Sequence, residues 1–353
     1  MTRSCPLDYH HAAADLAGPA GLQAETLYVI GGLYGNPEAL AAIERMRDAE
    51  AAAGRDVRLV FNGDFNWFNR DPESFRRINA AVRSHVAMRG NVEAELAREE
   101  NAAGCGCNYP AYVDPGVVRR SDEIFAMLYE TAGEFPQVRA WLAGLPGQLV
   151  AQVGGQRIAI VHGDGESLAG WQLAAEATAQ WGATAAMAGV PQTSAARIAD
   201  WFRAARVMAI ACTHTCLAHA CDMPVDGRSR LILNNGSAGM PNFRGDCRGL
   251  LTRISAHPTP PPDALYGCSL DGVRYDAVPI AYDHAAWRGR FERLWPPGSP
   301  AHVSYHERIV AGPAHELAQA ARGRFAAAAG IAGQVGPADQ LSTPGTASVK
   351  TGI

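Results

Sequence analysis

Four stretches of the chain end an apolar run on a side chain able to ligate a metal ion or move a proton. Leu59-Val60-Phe61-Asn62-Gly63-Asp64 reads as a buried strand delivering a carboxylate to its C-terminal edge. Arg89-Gly90-Asn91 adds an amide oxygen. Ile158-Ala159-Ile160-Val161-His162-Gly163 and Ile210-Ala211-Cys212-Thr213-His214-Thr215 each add an imidazole. Taken singly, each has an ordinary reading: an aspartate that caps a turn, a loop asparagine, a histidine satisfied in a core. Together, one carboxylate, one amide and two imidazoles form a mixed oxygen and nitrogen set that suits a first-row divalent ion, Mn, Fe or Zn. Open α/β sheets gather ligands at the C-terminal strand edge, so Asp64, Asn91, His162 and His214 are expected to meet there.

The elements that must position these groups follow from periodicity and punctuation. Thr26 to Ile30 reads as a strand, Asn36-Pro37 as the capped start of a helix running to about Ala53, and Val57 to Phe61 as the next strand of a βαβ unit. Pro72 to Val86 carries Phe75, Ile78, Val82 and Val86 at helical spacing. From Glu93 to about residue 146 the pattern breaks into an irregular Cys105-x-Cys107 loop and two helices, Ser121 to Gly133 and Pro136 to Leu145, which read as a helical insertion. Gly147 to Val153 and Gln156 to His162 flank Gly154-Gly155 as a hairpin, and Asp271-Gly272 joins a second hairpin. Helices are expected over Glu166 to Trp181, Ser194 to Ala205, His284 to Leu294 and Pro313 to Ala329, and strands over Arg206 to Ala211, Leu231 to Asn234 and Leu250 to Ser255.

Bulk properties narrow the classes. The 353 residues are 48% hydrophobic and 19% charged with a net charge of −4, as expected for a chain that buries a sizeable core. No Lys/Arg-rich block marks a nucleic-acid surface. No run approaches the ~18 apolar residues of a membrane span, and the N-terminal residues lack an apolar signal segment, so a cytoplasmic location is expected. Eight cysteines without a Cys-x-x-Cys pair read mainly as buried thiols. An oligomer is compatible with the sequence.

The order Gly63-Asp64, Gly90-Asn91, His162-Gly163 and Thr213-His214-Thr215 resembles the calcineurin-like metallophosphoesterases, in particular their small bacterial and archaeal phosphodiesterase branch. Gly35-Asn36-Pro37-Glu38-Ala39-Leu40 and Asn234-Asn235-Gly236-Ser237-Ala238-Gly239 match further motifs of that family, and the matches span roughly residues 26 to 283. The resemblance implies a two-sheet α/β sandwich flanked by helices and hydrolysis of a small phosphate-containing substrate. Asn66, Asn242 and Arg244 would then contact substrate. Residues 1–24 would be a loosely packed lead-in, 25–285 the phosphoesterase-like domain with its insertion at about 93–146, 286–329 a helical extension and 330–353 a disordered tail.

The departures fall on one place. Gly32-Leu33-Tyr34 stands where the family has Asp-x-His, and Cys216 stands where its last metal motif ends in His. Val92 replaces a histidine that protonates the leaving group in much of the family, which leaves the general acid unassigned. The resemblance therefore implies one intact metal position, Asp64, Asn91, His162 and His214, holding one ion beside an altered one. The expected activity is that of a divergent metal-dependent phosphoesterase. The alternatives are a non-catalytic metal- or phosphate-binding protein on the same fold, and a metalloenzyme with a rebuilt site using Tyr34 and Cys216. Asp164 and Glu166 are candidates to orient an imidazole, and Trp67 and Phe68 to shield a ligand.

Overall fold

A computed structural model describes residues 6–181 and 189–328. Its strands are β1 (Leu22–Ala24), β2 (Thr26–Ile30), β3 (Val57–Asn62), β4 (Val86–Met88), β5 (Gln148–Val153) and β6 (Gln156–Val161). They continue as β7 (Ala209–Cys212), β8 (His219–Val225), β9 (Arg228–Asn234), β10 (Gly249–Ser255), β11 (Tyr266–Leu270) and β12 (Val273–Ile280). The helices are α1 (Pro37–Ala52), α2 (Pro72–Val82), α3 (Asn91–Ala97), α4 (Pro115–Gly133) and α5 (Pro136–Ala143), followed by α6 (Ala195–Ala205), α7 (His284–Leu294), α8 (Pro300–Ala311), α9 (Leu317–Ala320) and α10 (Arg324–Ala328). None is long and apolar enough to cross a membrane.

Two six-stranded sheets form, ordered β11-β12-β10-β2-β3-β4 and β1-β5-β6-β7-β9-β8. This is the two-sheet α/β sandwich expected from the sequence. The parallel trio β6-β7-β9 lies between antiparallel pairings with β5 and β8, whereas the parallel trio β2-β3-β4 is bordered by antiparallel β10 on one side and ends the sheet at β4 on the other. Alternate residues of each strand face opposite sides. Leu27, Val29 and Val60 meet Ile158, Ile160, Ala209, Ala211 and Leu231 in the layer between the sheets. Their neighbours Tyr28, Ile30, Leu59 and Phe61 pack beneath the helices of the first sheet, and Val150, Ala159, Val161 and Ile210 beneath α6. The first crossover starts where its sequence predicts, since Asn36 Oδ1 accepts the Ala39 amide at 2.9 Å and Pro37 follows it.

Several expectations are corrected. The described part of the lead-in is docked: Tyr9 is 1% exposed and donates to Glu95 at 2.8 Å, while β1 extends the second sheet beside β5. No continuous helix spans Glu166 to Trp181, because the Asp164 carboxylate accepts the amides of Glu166, Ser167 and Gln172 and folds that segment around itself. The helix from Pro72 stops at Val82, and α4 begins at Pro115 behind its Asp114 cap rather than at Ser121. Asp226 and Gly227, with φ of 50° and 74°, turn an unanticipated hairpin between β8 and β9. The helix expected over Pro313 to Ala329 is replaced by the short α9 and α10, broken at Gly323 (φ 53°), with α8 lying ahead of them. The tail at 330–353, expected to be disordered, lies outside the described residues.

One buried charge cluster ties α1 to the first sheet. Arg253 of β10, 2% exposed, donates to both carboxylate oxygens of Glu50, at 2.7 and 3.1 Å, and Glu50 also accepts from Tyr28 at 2.6 Å. Burial opposes ionisation of Glu50, but the hydrogen bonds from Arg253 and Tyr28 hold it below its ordinary carboxylate range. Arg253→Ala leaves Glu50 and the buried Asp276 without that cation and is expected to cost about 3–5 kcal/mol in urea unfolding. A loss below about 1 kcal/mol would show that water reaches and solvates the pair.

Candidate metal centre

The four groups arrive from neighbouring strand ends. Asp64 follows β3, Asn91 opens α3 after β4, His162 follows β6 and His214 lies just past β7. The first two belong to one sheet and the last two to the other, so the centre sits where the two sheet edges meet. The His162 carbonyl accepts the amides of Thr213 and His214 at 3.0 and 2.9 Å, and Asn62 donates across the sheets to the Val161 carbonyl at 2.9 Å. The approach requires glycine. A Cβ on Gly63, whose φ is +83°, would lie 2.4 Å from the Gly90 nitrogen, and one on Gly90 would lie 2.3 Å from Asp64 Oδ1. Asp64 itself adopts φ 53°, a left-handed conformation that costs a non-glycine residue energy and aims its carboxylate inward.

Hydrogen bonding fixes which atoms face the centre. His162 Nδ1 lies 2.8 Å from the Asn62 carbonyl, which can only accept, so Nδ1 carries the proton and Nε2 presents its lone pair. That Nε2 is 3.3 Å from Asp64 Oδ2 and 3.2 Å from Asn91 Oδ1. The Asn91 amide nitrogen donates away, to the Cys105 carbonyl at 2.8 Å. His214 Nε2 meets the Cys107 carbonyl at 3.1 Å, which leaves Nδ1 bare, buried and without a hydrogen-bond partner. Ligand atoms of Asp64, His162 and His214 all lie within 4.8 Å of one another. A buried set of inward-facing acceptors repels itself unless a cation joins it, so these residues fit a divalent ion.

The titration behaviour has the same origin. Burial alone would lower the His162 pKa, but the Asp64 carboxylate outweighs it and raises the imidazole above its ordinary value. Burial and the neighbouring His162 lower His214 to about 4. Asp64 resists burial through both imidazoles and stays below its ordinary range.

The place where the resemblance implies a further metal position is filled by side chains. The Tyr34 ring covers Gly32 so closely that a Cβ there would come 2.5 Å from Tyr34 Cζ. The Tyr34 hydroxyl is hydrogen-bonded to the Cys216 thiol. Burial raises Tyr34 far above its ordinary pKa and pushes Cys216 up to about 11, so the pair is neutral near pH 7, the form of each least suited to ligation.

Other candidates are placed elsewhere. Asn66 is fully buried and exchanges hydrogen bonds with Asn79 and Glu93. Asn242 closes the turn at Ser237, accepting its amide at 2.8 Å and donating to its carbonyl at 2.8 Å. Arg244 pairs with Glu316 on the surface. None of the three lines the cavity beside the four ligating groups. Asp164 organises its own loop, and Glu166 binds Arg197 and the Trp201 indole, so neither orients an imidazole; the Asn62 and Cys107 carbonyls do. Val92 contributes its amide, which donates to Asp64 Oδ1 at 3.2 Å. Trp67 lines the cavity, whereas Phe68 packs among Phe291, Trp295 and Tyr305.

Sequence reading missed Glu93, the residue that most restrains this loop pair. Its carboxylate accepts the amides of Asp64 at 2.6 Å, Asn66 at 3.1 Å and Gly90 at 3.1 Å, and burial beside Asp64 pushes it up to about 7. The signal was present as a glutamate at the third position of the helix opened by Gly90-Asn91. Tyr109, Trp171 and Tyr305, also unanticipated, join Trp67, Cys107 and Cys216 around a cavity of about 40 Å3. No lysine or arginine lines it.

No family model matches the sequence, and no curated protein matches it. Among solved structures the chain is similar to a metallophosphoesterase from Sphaerobacter thermophilus, with 18% identity over 82% of this chain and 99% of that one and a TM-score of 0.48. It is similar to a hypothetical protein from Pyrococcus horikoshii, with 14% identity, the same coverages of 82% and 99%, and a TM-score of 0.49. It is also similar to a zinc-complexed vacuolar protein sorting 29 from Entamoeba histolytica, with 14% identity over 72% of this chain and 99% of that one and a TM-score of 0.31.

Proposed function

We propose that the protein is a mononuclear metal-dependent hydrolase acting on a small phosphoester. The observation that carries this reading is the acceptor-only convergence of Asp64, Asn91, His162 and His214, with the bare, buried His214 Nδ1 as its clearest sign. A divalent ion held there supplies Lewis acidity toward a phosphoryl oxygen and acidifies water, toward a pKa of ~7 for zinc. The chain's own residues do the rest. The Asn62 and Cys107 carbonyls fix the two imidazole tautomers, and the Val92 amide and the Glu93-braced loop fix Asp64. The ring wall of Trp67, Tyr109, Trp171 and Tyr305 limits water. Tyr34 and Cys216 are hydrogen-bonded to each other where the family resemblance implies a second ion, so the bridging arrangement of two-metal phosphoesterases is not part of this mechanism.

A second reading, metal binding without turnover, draws on the size and lining of the cavity. About 40 Å3 is little more than water needs, and no cationic side chain is aimed at phosphate oxygens. Metal analysis of dialysed protein beside a panel of phosphomonoesters and phosphodiesters separates the two. One ion with metal-dependent turnover supports the hydrolase, and one ion without turnover supports the binding protein.

His162→Ala is expected to remove most of the bound ion, since it deletes one of four protein ligands, whereas Tyr34→Phe leaves metal content unchanged. Two ions per chain, or metal lost on Tyr34→Phe but retained on His162→Ala, would refute the one-metal assignment.

Proton release gives an independent check. Asp64 raises the His162 pKa above 6.5, while His214 sits at about 4. At about pH 6 His162 and the neighbouring Glu93, at about 7, hold protons while His214 does not, so ion uptake should release at least the proton on His162. Affinity should weaken as pH falls through the His162 pKa and level off above it. Calorimetric titration in two buffers of different ionisation enthalpy reads the number directly, and uptake without proton release would contradict the raised pKa of His162.

A further inference from the structure

The second sheet carries another concave site at the end opposite the metal centre. It is an open cleft built from the β5–β6 turn, the C-terminal end of α6, the link into β7 and the β8–β9 hairpin, with a volume of about 480 Å3. That volume falls within the range of small-molecule sites, about 300–1,000 Å3. Arg157, Arg203, Arg206, Arg228 and Arg230 line it against one carboxylate, Asp226. The chain as a whole has a net charge of −4, so this concentration of guanidinium groups is local.

The five arginines are not equally committed. Arg157 braces the fold through the carbonyls of Leu16, Gly18 and Arg206. Arg203 is held by Asp226 and Asp200. Arg230 reaches the Met208 sulfur at 3.5 Å, and its buried Nε has no hydrogen-bond partner. Arg206 and Arg228 are exposed and form no ion pair with the described residues. Arg206 also occupies the left-handed cap of α6, with φ 55°, a position where glycine or asparagine costs least. An arginine there places a free cation on the rim at a conformational cost that a purely structural cap avoids.

We infer that this cleft binds a small multiply charged phosphate compound, with the chemistry of pyrophosphate or a nucleoside diphosphate. Guanidinium forks match phosphate oxygens two at a time, and unpaired arginines around a concave surface reinforce one another where a single surface arginine does little. The gathering of the arginines around one cleft of this volume favours a compact ligand over a polymer, whose phosphates would need an extended basic track. The site shares no residue with the metal centre, so its occupancy does not depend on the proposed hydrolase activity.

Calorimetry of the full chain with pyrophosphate and with ADP, at low and at raised salt, tests it. Both ligands are expected to bind in one-to-one ratio, more weakly as salt rises, and equally well to His162→Ala. Arg206→Gly should weaken binding on the order of tenfold, as expected for one charge-assisted contact, while raising the thermal midpoint because glycine relieves the cap. Arg228→Ala should weaken binding without moving the midpoint. Unchanged affinity in both arginine variants, or loss of binding in His162→Ala, would overturn the assignment. So would an oligonucleotide that binds more tightly than ADP and loses affinity in the same variants, which would point to a polynucleotide track.

Discussion

At the meeting edge of the two sheets, a histidine lone pair, a carboxylate oxygen and an amide oxygen face one another at 3.2–3.3 Å. In the tautomer that the Asn62 carbonyl imposes on His162, no proton lies among them. Such an arrangement is unfavourable in a buried place unless positive charge enters it. A proton on His162 relieves it partly, which is why that pKa rises. A divalent ion would relieve it more fully, because the bare Nδ1 of His214 is also free to join it. The centre is thus poised between two cations, the first sheet contributing the negative charge through Asp64 and the second the imidazole lone pairs.

The surrounding structure holds that tension in place. Glu93 gathers three backbone amides from the loops after β3 and β4, and the His162 carbonyl gathers two from the loop after β7. Gly63 and Gly90 let these loops come close enough for the side chains to converge. Left-handed backbone at Tyr34, Asp64 and Cys216 clusters at the same place, as strained conformations do where side-chain direction matters more than local comfort.

Gly32, Tyr34 and Cys216 act as a unit. Gly32 leaves room for the Tyr34 ring, Tyr34 turns its hydroxyl to Cys216, and the Cys216 carbonyl accepts from Arg308 at 2.9 Å. Any side chain placed at residue 32 alone would be driven into the ring. Positive charge has meanwhile been kept out of the cavity lining and collected at the far end of the second sheet. The six residues of β6 separate the two places by roughly 20 Å.

Sequence by itself determined three of the strands that carry the centre, because β3, β6 and β7 are apolar runs that lead into polar residues and local pattern fixes such runs. It also singled out Asp64, Asn91, His162 and His214, whose types and order carry the signal, and the structure brings those four together. It misplaced Asn66, Asn242 and Arg244, since the direction of a side chain in a loop depends on partners distant in sequence, here Glu93, Ser237 and Glu316. The expected helix after His162 failed for a related reason: helical spacing was present, but the Asp164 carboxylate offers the backbone amides a competing partner. Only the tertiary structure decided the histidine tautomers, the ring wall and the arginine cleft. Each depends on atoms contributed by segments dozens of residues apart, and such proximity leaves no periodic trace in the chain.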